Sequence, residues 1–148
     1  SGQQSSGSGV DVSPKDAATI ANLPDVLEMT RSLARKAGSV IVLSGALDVI
    51  SDGTRSVVLH NGCPTMARIT GSGCMLTALI GAFCAATPED FFCAAVSATA
   101  AMGVCGELAE KRRLTNQTGN ATFRTDLIDA MFNLTEIQLR EGIHYELF

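Results

Sequence analysis

The sequence predicts an α/β fold, of which this chain supplies one part. Its predicted elements follow the order helix, strand, hairpin and three helices, so that only three or four strands are present. The 148 residues suit one compact domain. A Ser/Gly-rich stretch stands directly before the first helix, which indicates that an earlier part is missing. We therefore predict an incomplete α/β sandwich, with residues 1–13 as a leading loop and residues 14–148 as the C-terminal part of one domain.

The first predicted helix begins at residue 14 and ends at Gly38. Ser13 can cap it, and Pro14 suits the first helical position because its missing N–H costs nothing there. Pro24 is expected to kink this helix or to split it in two. Apolar residues recur at helical spacing along one face: Ile20, Leu23, Leu27, Leu33, Ala34 and Ala37.

The next predicted elements are a buried strand and a β-hairpin. Residues 39–45, "SVIVLSG", form a β-branched apolar run, which is typical of a strand covered on both faces. In "DVISDGTRSVVLHNG", residues 51–53 supply a turn and residues 57–59 continue the second hairpin strand.

Three helices complete the order, and the first two are strongly apolar. Residues 69–88 carry no charge and contain a helix of about four turns. "TPED" predicts Thr87 as the cap and Pro88 as the first residue of the next helix, which ends near Lys111. Gly, Ser and Thr occupy many positions of both runs, so we expect buried helices and no membrane span. The third helix has an apolar face: Phe123, Leu127, Ile128, Met131, Phe132 and Leu134.

Composition and charge indicate a folded domain that does not bind nucleic acid. Hydrophobic residues make up 46% of the chain and charged residues 18%, which suffices to build a core. The net charge is −4 and no dense Lys/Arg patch occurs, whereas nucleic-acid binding needs clustered positive charge. The short basic run at residues 111–113 is predicted to be a solvent-facing helix end.

The cysteine pattern indicates reduced thiols rather than disulfides or a zinc site. The five cysteines are an odd number, none forms a C-x-x-C pair, and no signal peptide is evident. Zinc-type ligand spacings are missing, and the two histidines lie far apart in sequence. Cys84 and Cys93 are predicted to be core residues. We therefore expect a cytoplasmic protein and no metal site built from these residues.

The stretch "TGSGCMLTALIGAF" is the candidate site, because a Gly-x-Gly turn opens its helix. The first N–H groups of a helix have no intrahelical partner, and glycines let the backbone approach a ligand closely. Gly71, Ser72 and Gly73 therefore predict an anion hole, with a tight-packing turn as the alternative. Cys74 stands in the first helical turn, which favours a thiolate; its alternative role is that of a small buried residue.

The motifs "VIVLSGALDVISDG", "LHNG" and "ARITGSGCMLTALIGAFCA" resemble those of hydroxyethylthiazole kinases, which belong to the ribokinase-like superfamily. The resemblance extends from about Gly9 to about Leu139. It implies a ribokinase-like three-layer α/β sandwich and a role in thiamin salvage. The implied reaction is ATP-dependent phosphorylation of the primary hydroxyl of 4-methyl-5-(2-hydroxyethyl)thiazole, with Mg²⁺ bridging the phosphates. The resemblance also implies a homotrimer.

The resemblance assigns roles to individual residues. Cys74 stands at the family's position near the attacking hydroxyl, and the N–H groups of Gly71, Ser72, Gly73 and Cys74 would hold the transferred phosphoryl group. Gly71 would also lie against the thiazole alcohol. Ser44 would lie by the nucleotide phosphates.

Three departures from the family pattern restrict what the resemblance implies. Ala46 stands where the family commonly has glutamate, and the late "GPGSF" turn is reduced to "GNATF", residues 119–123. The family's N-terminal half, with an "N-x-x-E" segment for magnesium and nucleotide, is absent. We expect no kinase activity from these 148 residues alone.

Two other functions stay open at the level of sequence. A hydroxymethylpyrimidine kinase shares the Gly-x-Gly-Cys turn but fits "LSGALDVISDG" and "LHNG" less well. A non-catalytic fragment or pseudo-enzyme would keep the anion site or an assembly surface. A Rossmann oxidoreductase is disfavoured, since no GxGxxG follows a strand and no acid stands at the ribose spacing.

Overall fold

The computed structural model describes residues 18–148, which form five α-helices and four β-strands. The helices are α1 (Leu23–Ala37), α2 (Ser72–Ala86), α3 (Phe91–Asn116), α4 (Asn120–Phe132) and α5 (Glu136–Gly142). The strands are β1 (Ile41–Leu43), β2 (Asp48–Ser51), β3 (Ser56–Leu59) and β4 (Tyr145–Leu147). The predicted leading loop and the Ser13–Pro14 helix start lie outside the described residues. The sequence prediction contains neither α5 nor β4.

α1 has a proline in its first turn and is ended by a glycine. A single 3-10 turn, Ile20–Asn22, precedes it, and Pro24 lies in its first turn, where a missing N–H is harmless. Pro24 therefore lies at the start of α1 and does not kink a longer helix. Gly38 ends the helix in the left-handed conformation, with φ of 61°, and its N–H donates to the Ala34 carbonyl.

The four strands form one antiparallel sheet in the order β1-β2-β3-β4. The predicted hairpin is confirmed: in β2 and β3, Val49 lies opposite Val58 and Ile50 opposite Val57. Its turn is held by Asp52, whose Oδ1 accepts the backbone N–H groups of residues 54 and 55. The predicted strand covered on both faces is found in part: in β1, Val42 packs on the α3 side of the sheet and Leu43 on the α1 side. Within the described residues β1 is an edge strand, and its three side chains are half-buried.

Alternating side chains of β2 and β3 build a core on each face of the sheet. Val49 and Val58 face α1, while Ile50 and Val57 face α3 and pack with Phe92. The described residues thus form helix, sheet and helix layers. The remaining helices extend the α3 layer, because α2 and α4 both pack against α3.

α3 is the long core helix of the fold, and its start differs from the prediction. Asp90 caps it, since its Oδ1 accepts the N–H groups of Phe92 and Cys93. Thr87 is not the cap of α3: its N–H instead closes the end of α2 by donating to the Phe83 carbonyl. Thr87 and Asp90 are both residues that commonly cap helices, and the "TPED" pattern alone does not show which of them caps α3.

The far end of α3 and the position of its cysteines also differ from the prediction. α3 continues to Asn116, beyond the predicted end near Lys111. Cys93 is exposed rather than part of the core, and Cys84 in α2 is half-buried. Cys105 is fully buried, and burial raises the pKa of its thiol to about 11.

Among the described helices, α3 has the length and apolar composition that a membrane span requires. Of its apolar window, 67% is buried inside the fold, and the core helix of a globular domain meets the same two criteria.

α4 covers the end of α3 with only part of its predicted apolar face. Phe123 and Leu127 are fully buried and pack with Cys105 of α3. Ile128 and Phe132 are instead exposed, by 50% and 88% of their surfaces. The residues of α4 that form the core therefore follow the spacing i, i+4, and the outer side chains have no cover within the described residues.

Candidate functional site

The candidate turn places three backbone N–H groups at the start of α2. Gly71 is the residue before the helix and has φ of 92°, a conformation that favours glycine. Its carbonyl accepts the first helical hydrogen bond, from Met75, at 2.9 Å. No side chain of the described residues caps the N–H groups of Ser72, Gly73 or Cys74. These N–H groups, together with the helix dipole, favour an anion at this position.

A cavity of about 640 Å³ opens beside this turn. Four segments line it: the β1–β2 loop, the chain that follows β3, the first turn of α2 and the middle of α3. The size is within the range of pockets that hold small ligands. The residues that line it are Ser44, Gly45, Ala46, Asp48, Asn61, Gly62, Cys63, Pro64, Met66, Ala67, Ser72, Gly73, Leu76, Thr99, Met102 and Gly103.

The β1–β2 loop supplies a hydroxyl and a carboxylate to the cavity. Ser44 directly follows β1, and Asp48 begins β2. The Oδ1 of Asp48 accepts the N–H of Gly45 at 2.9 Å, which fixes the loop between the two strands. Burial raises the pKa of Asp48 to about 6. The hydrogen bond from Gly45 lowers this pKa, but by less than burial raises it. Ala46 carries no acid, so Asp48 is the carboxylate that this loop brings to the cavity.

The opposite wall is formed where α3 approaches the chain after β3. At Gly103 an added Cβ would lie 2.6 Å from the Cβ of Asn61, so the two segments meet as closely as glycine allows. Glu107, one turn further along α3, accepts hydrogen bonds from the Asn61 side chain and from the N–H of Gly62. Burial raises the pKa of the neighbouring Cys63 thiol.

The structure brings together three of the predicted site residues, Ser44, Ser72 and Gly73, which line one cavity. Gly71 and Cys74 adjoin them in the chain but do not line the cavity, and the Cys74 side chain is exposed. The sequence interpretation missed Asp48 and Asn61. Both stand inside quoted motifs, "SGALD" and "LHNG", so their position in the motifs was the available signal.

The histidines and acids of the described residues form no metal centre. Within residues 18–148 no cluster of three or more His, Cys, Asp or Glu side chains is arranged to hold a metal ion. His60 and His144 lie far apart in sequence but are neighbours in the fold, where the N–H of His60 donates to the His144 carbonyl at 3.0 Å. The His60 side chain contacts Glu146, with 2.9 Å between Nε2 and Oε1.

The hydroxyethylthiazole kinase family provides a sequence profile that matches residues 1–137. The chain belongs to the hydroxyethylthiazole kinase family. It is 41% identical over 147 residues to hydroxyethylthiazole kinase 2 of Methanosphaera stadtmanae, covering 98% of this chain and 51% of the relative. It is 36% identical over 140 residues to the hydroxyethylthiazole kinase of Clostridium acetobutylicum, covering 95% and 51%. The chain thus spans about half the length of the curated relatives that it matches.

A solved structure confirms the fold of this family member. The hydroxyethylthiazole kinase protein of Pyrococcus horikoshii superposes with a TM-score of 0.75 at 27% identity, over 86% of this chain and 48% of that protein. The fold of the chain is therefore an incomplete ribokinase-like α/β fold, as the resemblance implied.

Proposed function

We propose that the full-length protein carrying this chain transfers the γ-phosphoryl group of ATP to the primary hydroxyl of 4-methyl-5-(2-hydroxyethyl)thiazole. The observation that carries the proposal is the uncapped start of α2, with three free N–H groups beside a cavity of about 640 Å³. An anion site of this kind stabilises the charge that a transferred phosphoryl group carries in the transition state. Membership of the hydroxyethylthiazole kinase family supports the choice of alcohol.

Each predicted residue has a defined role in this proposal. The N–H groups of Gly71, Ser72, Gly73 and Cys74 hold the transferred phosphoryl group, and Gly71 also lies against the thiazole alcohol. Ser44, which also lines the cavity, binds the nucleotide phosphates. The Cys74 side chain lies at the exposed start of α2, where its thiolate form accepts the proton of the attacking hydroxyl and becomes the thiol. The hydroxyl oxygen then attacks the γ-phosphorus in line with the leaving ADP oxygen.

Mg²⁺ would be bound in this site together with ATP and would supply positive charge beside the phosphates. Oxygen ligands suit Mg²⁺, and the Ser44 hydroxyl and Asp48 carboxylate are the oxygen groups that the β1–β2 loop offers. When bound, the ion neutralises the charge that develops on the phosphates. Asp48 itself holds the Gly45 N–H and thereby orients the loop that carries Ser44.

We propose a homotrimer in the cytoplasm as the working form, with no nucleic acid or membrane as partner. The sequence of α2 supports an assembly surface, because it is uniformly apolar or small while only Leu76 is buried. A helix of apolar and small residues that is covered by α3 on one side only is typical of a subunit interface. The rest of the domain in the full-length protein would cover part of the same surface of α2. Residues 1–148 alone are expected to be inactive.

Competing phosphorylation of two alcohols tests the assignment. The full-length protein is offered equal amounts of hydroxyethylthiazole and hydroxymethylpyrimidine with MgATP, and the two phosphorylated products are separated by chromatography. We expect the thiazole phosphate to dominate. Turnover of the pyrimidine alone would contradict the assignment. Absence of MgATP binding by the full-length protein would favour the non-catalytic alternative.

A further inference from the structure

Asn61 connects three parts of the molecule that meet beside the cavity. Its amide nitrogen donates to Oε1 of Glu107 at 3.0 Å and to the Gly142 carbonyl at 2.7 Å. Its Oδ1 accepts the N–H of His144 at 2.8 Å. Asn61 is only 6% exposed, so these hydrogen bonds are shielded from water. Losing any of them leaves a buried polar group without its partner.

The same hydrogen bonds fix the turn that forms one wall of the cavity, residues 61–63. Oε1 of Glu107 also accepts the N–H of Gly62 at 2.9 Å, and Gly62 has φ of 119°. The Cys63 thiol donates to the Gly106 carbonyl of α3 at 3.5 Å. Because residues 61–63 all line the cavity, the shape of this wall depends on α3 and on Asn61.

Besides α3 and the end of α5, Asn61 contacts the C-terminal segment, defined as residues 143–148. It adds β4 to the edge of β3, with Leu59 opposite Tyr145, and its His144 supplies the N–H that Asn61 accepts. The His60 side chain contacts Glu146 within the same segment. This segment lies beyond residues 1–137, which the family's sequence profile matches.

We propose that Asn61 is a positioning residue for ligand binding, and that the C-terminal segment acts through it on the cavity. The proposal rests on the proposed function, because it takes ATP as the ligand bound beside the turn. Without the bond to His144, the Asn61 amide oxygen loses its partner and the side chain is held only through its nitrogen, by Glu107 and Gly142, so residues 61–63 are less firmly fixed. A ligand must then order the turn as it binds, which weakens its affinity.

Two variants test the proposal in the full-length protein: Asn61→Ala and deletion of residues 143–148. The first readout is amide hydrogen exchange at Gly62 without ligand, and the second is the Kd of MgATP. We expect faster exchange in both variants and a Kd that rises roughly ten- to hundredfold. The KM for ATP rises with it, while kcat changes less, because Asn61 does not touch the reacting atoms.

Two further variants separate positioning from general destabilisation. Glu107→Gln keeps an acceptor oxygen for Asn61 and Gly62, so it should bind MgATP nearly as the unchanged protein does, whereas Glu107→Ala should not. Arg55→Ala removes ion pairs to Asp52 and Asp90 at the other end of the hairpin, and should lower stability without changing the Kd.

The outcomes distinguish this inference from the proposed function. If the unchanged protein binds MgATP and Asn61→Ala binds it equally well, the inference is wrong and the proposed function stands. Equal loss of affinity in Arg55→Ala and Asn61→Ala also overturns it, since only stability would then matter. An unchanged protein that binds no MgATP contradicts the proposed function itself, and this inference with it.

Discussion

Gly103→Ala is expected to separate α3 from the cavity wall and to destabilise the protein. The added Cβ would lie 2.6 Å from the Asn61 Cβ and 3.0 Å from its backbone carbonyl carbon, whereas carbon atoms pack at about 3.5–4.0 Å. Asn61 cannot move away freely, because its side chain is bonded to Glu107, Gly142 and His144. The strain must therefore be relieved by a shift of the backbone.

The magnitude follows from three contributions to the free energy of unfolding. Overpacking costs about 1–3 kcal/mol, and weakening the Asn61 hydrogen bonds costs about 1 kcal/mol more. The better helix propensity of alanine returns about 1 kcal/mol. Gly103→Ala should therefore lower stability by roughly 1–3 kcal/mol, which lowers Tm by roughly 3–9 °C for a chain of this size.

Two other glycines provide matched controls in the same kind of helix. Among the described residues, no atom of a neighbouring segment lies within 4 Å of a Cβ added at Gly81 in α2, so Gly81→Ala should raise stability by about 0.5–1 kcal/mol. At Gly106 the Cβ would meet the Sδ of Met66, a flexible side chain that can rotate, so Gly106→Ala should cost less than Gly103→Ala. Thermal and urea unfolding of the three variants give the order. A Gly103→Ala variant as stable as Gly81→Ala would refute the reasoning.

Three further predictions concern charge and catalysis. Burial raises the pKa of Asp48 to about 6, so ionising this carboxyl lowers the stability of the folded protein as pH rises from about 4 to 6. Asp48→Asn should therefore be more stable than the unchanged protein at pH 7, by about 1–3 kcal/mol, and no more stable at pH 4. Urea unfolding at the two pH values measures the difference. The Arg55 guanidinium holds the pKa of Asp90 well below its usual range; Asp90→Asn should therefore be less stable than the unchanged protein above about pH 4, and the difference should vanish in strong acid. Cys74→Ser should lose most of kcat while Cys74→Asp retains it; a serine variant with unchanged kcat would make Cys74 a packing residue only.

The parts of the fold that depend on neighbouring residues could be predicted from the sequence. The β2–β3 hairpin follows from two short apolar runs around an Asp-Gly turn, and α2 follows from the Gly-x-Gly start and the length of its apolar run. The end of α1 at Gly38 follows from the need for a left-handed residue. Each of these patterns lies within a few residues of the element that it predicts, so it can be read without knowing the rest of the molecule.

The parts that depend on distant contacts could not be predicted. β4 is a strand of three exposed residues, and only its pairing with β3, far away in sequence, defines it. The cap of α3 is another example, because Thr87 is occupied in closing α2 and leaves Asp90 to cap the next helix. β1 has the composition of a buried strand, but burial requires a neighbour that the described residues do not supply.

The residues of the candidate site likewise fall into those that local motifs predict and those whose role depends on their contacts in the fold. The Gly-x-Gly turn and Ser44 were predicted from their motifs, and Ser44, Ser72 and Gly73 do line one cavity. Asp48 and Asn61 were missed because their importance depends on what they contact. Asp48 holds a backbone N–H of its own loop, and Asn61 holds a carbonyl and an N–H more than 80 residues away.

Detection of the transferred phosphoryl group tests the central proposal most directly. The full-length protein is incubated with MgATP and 4-methyl-5-(2-hydroxyethyl)thiazole, and the reaction is followed by ³¹P NMR. We predict a new phosphomonoester signal that grows in step with ADP and requires the thiazole alcohol. ATP left intact, or converted to ADP and inorganic phosphate without a phosphomonoester, would contradict the proposal that this cavity serves an alcohol kinase.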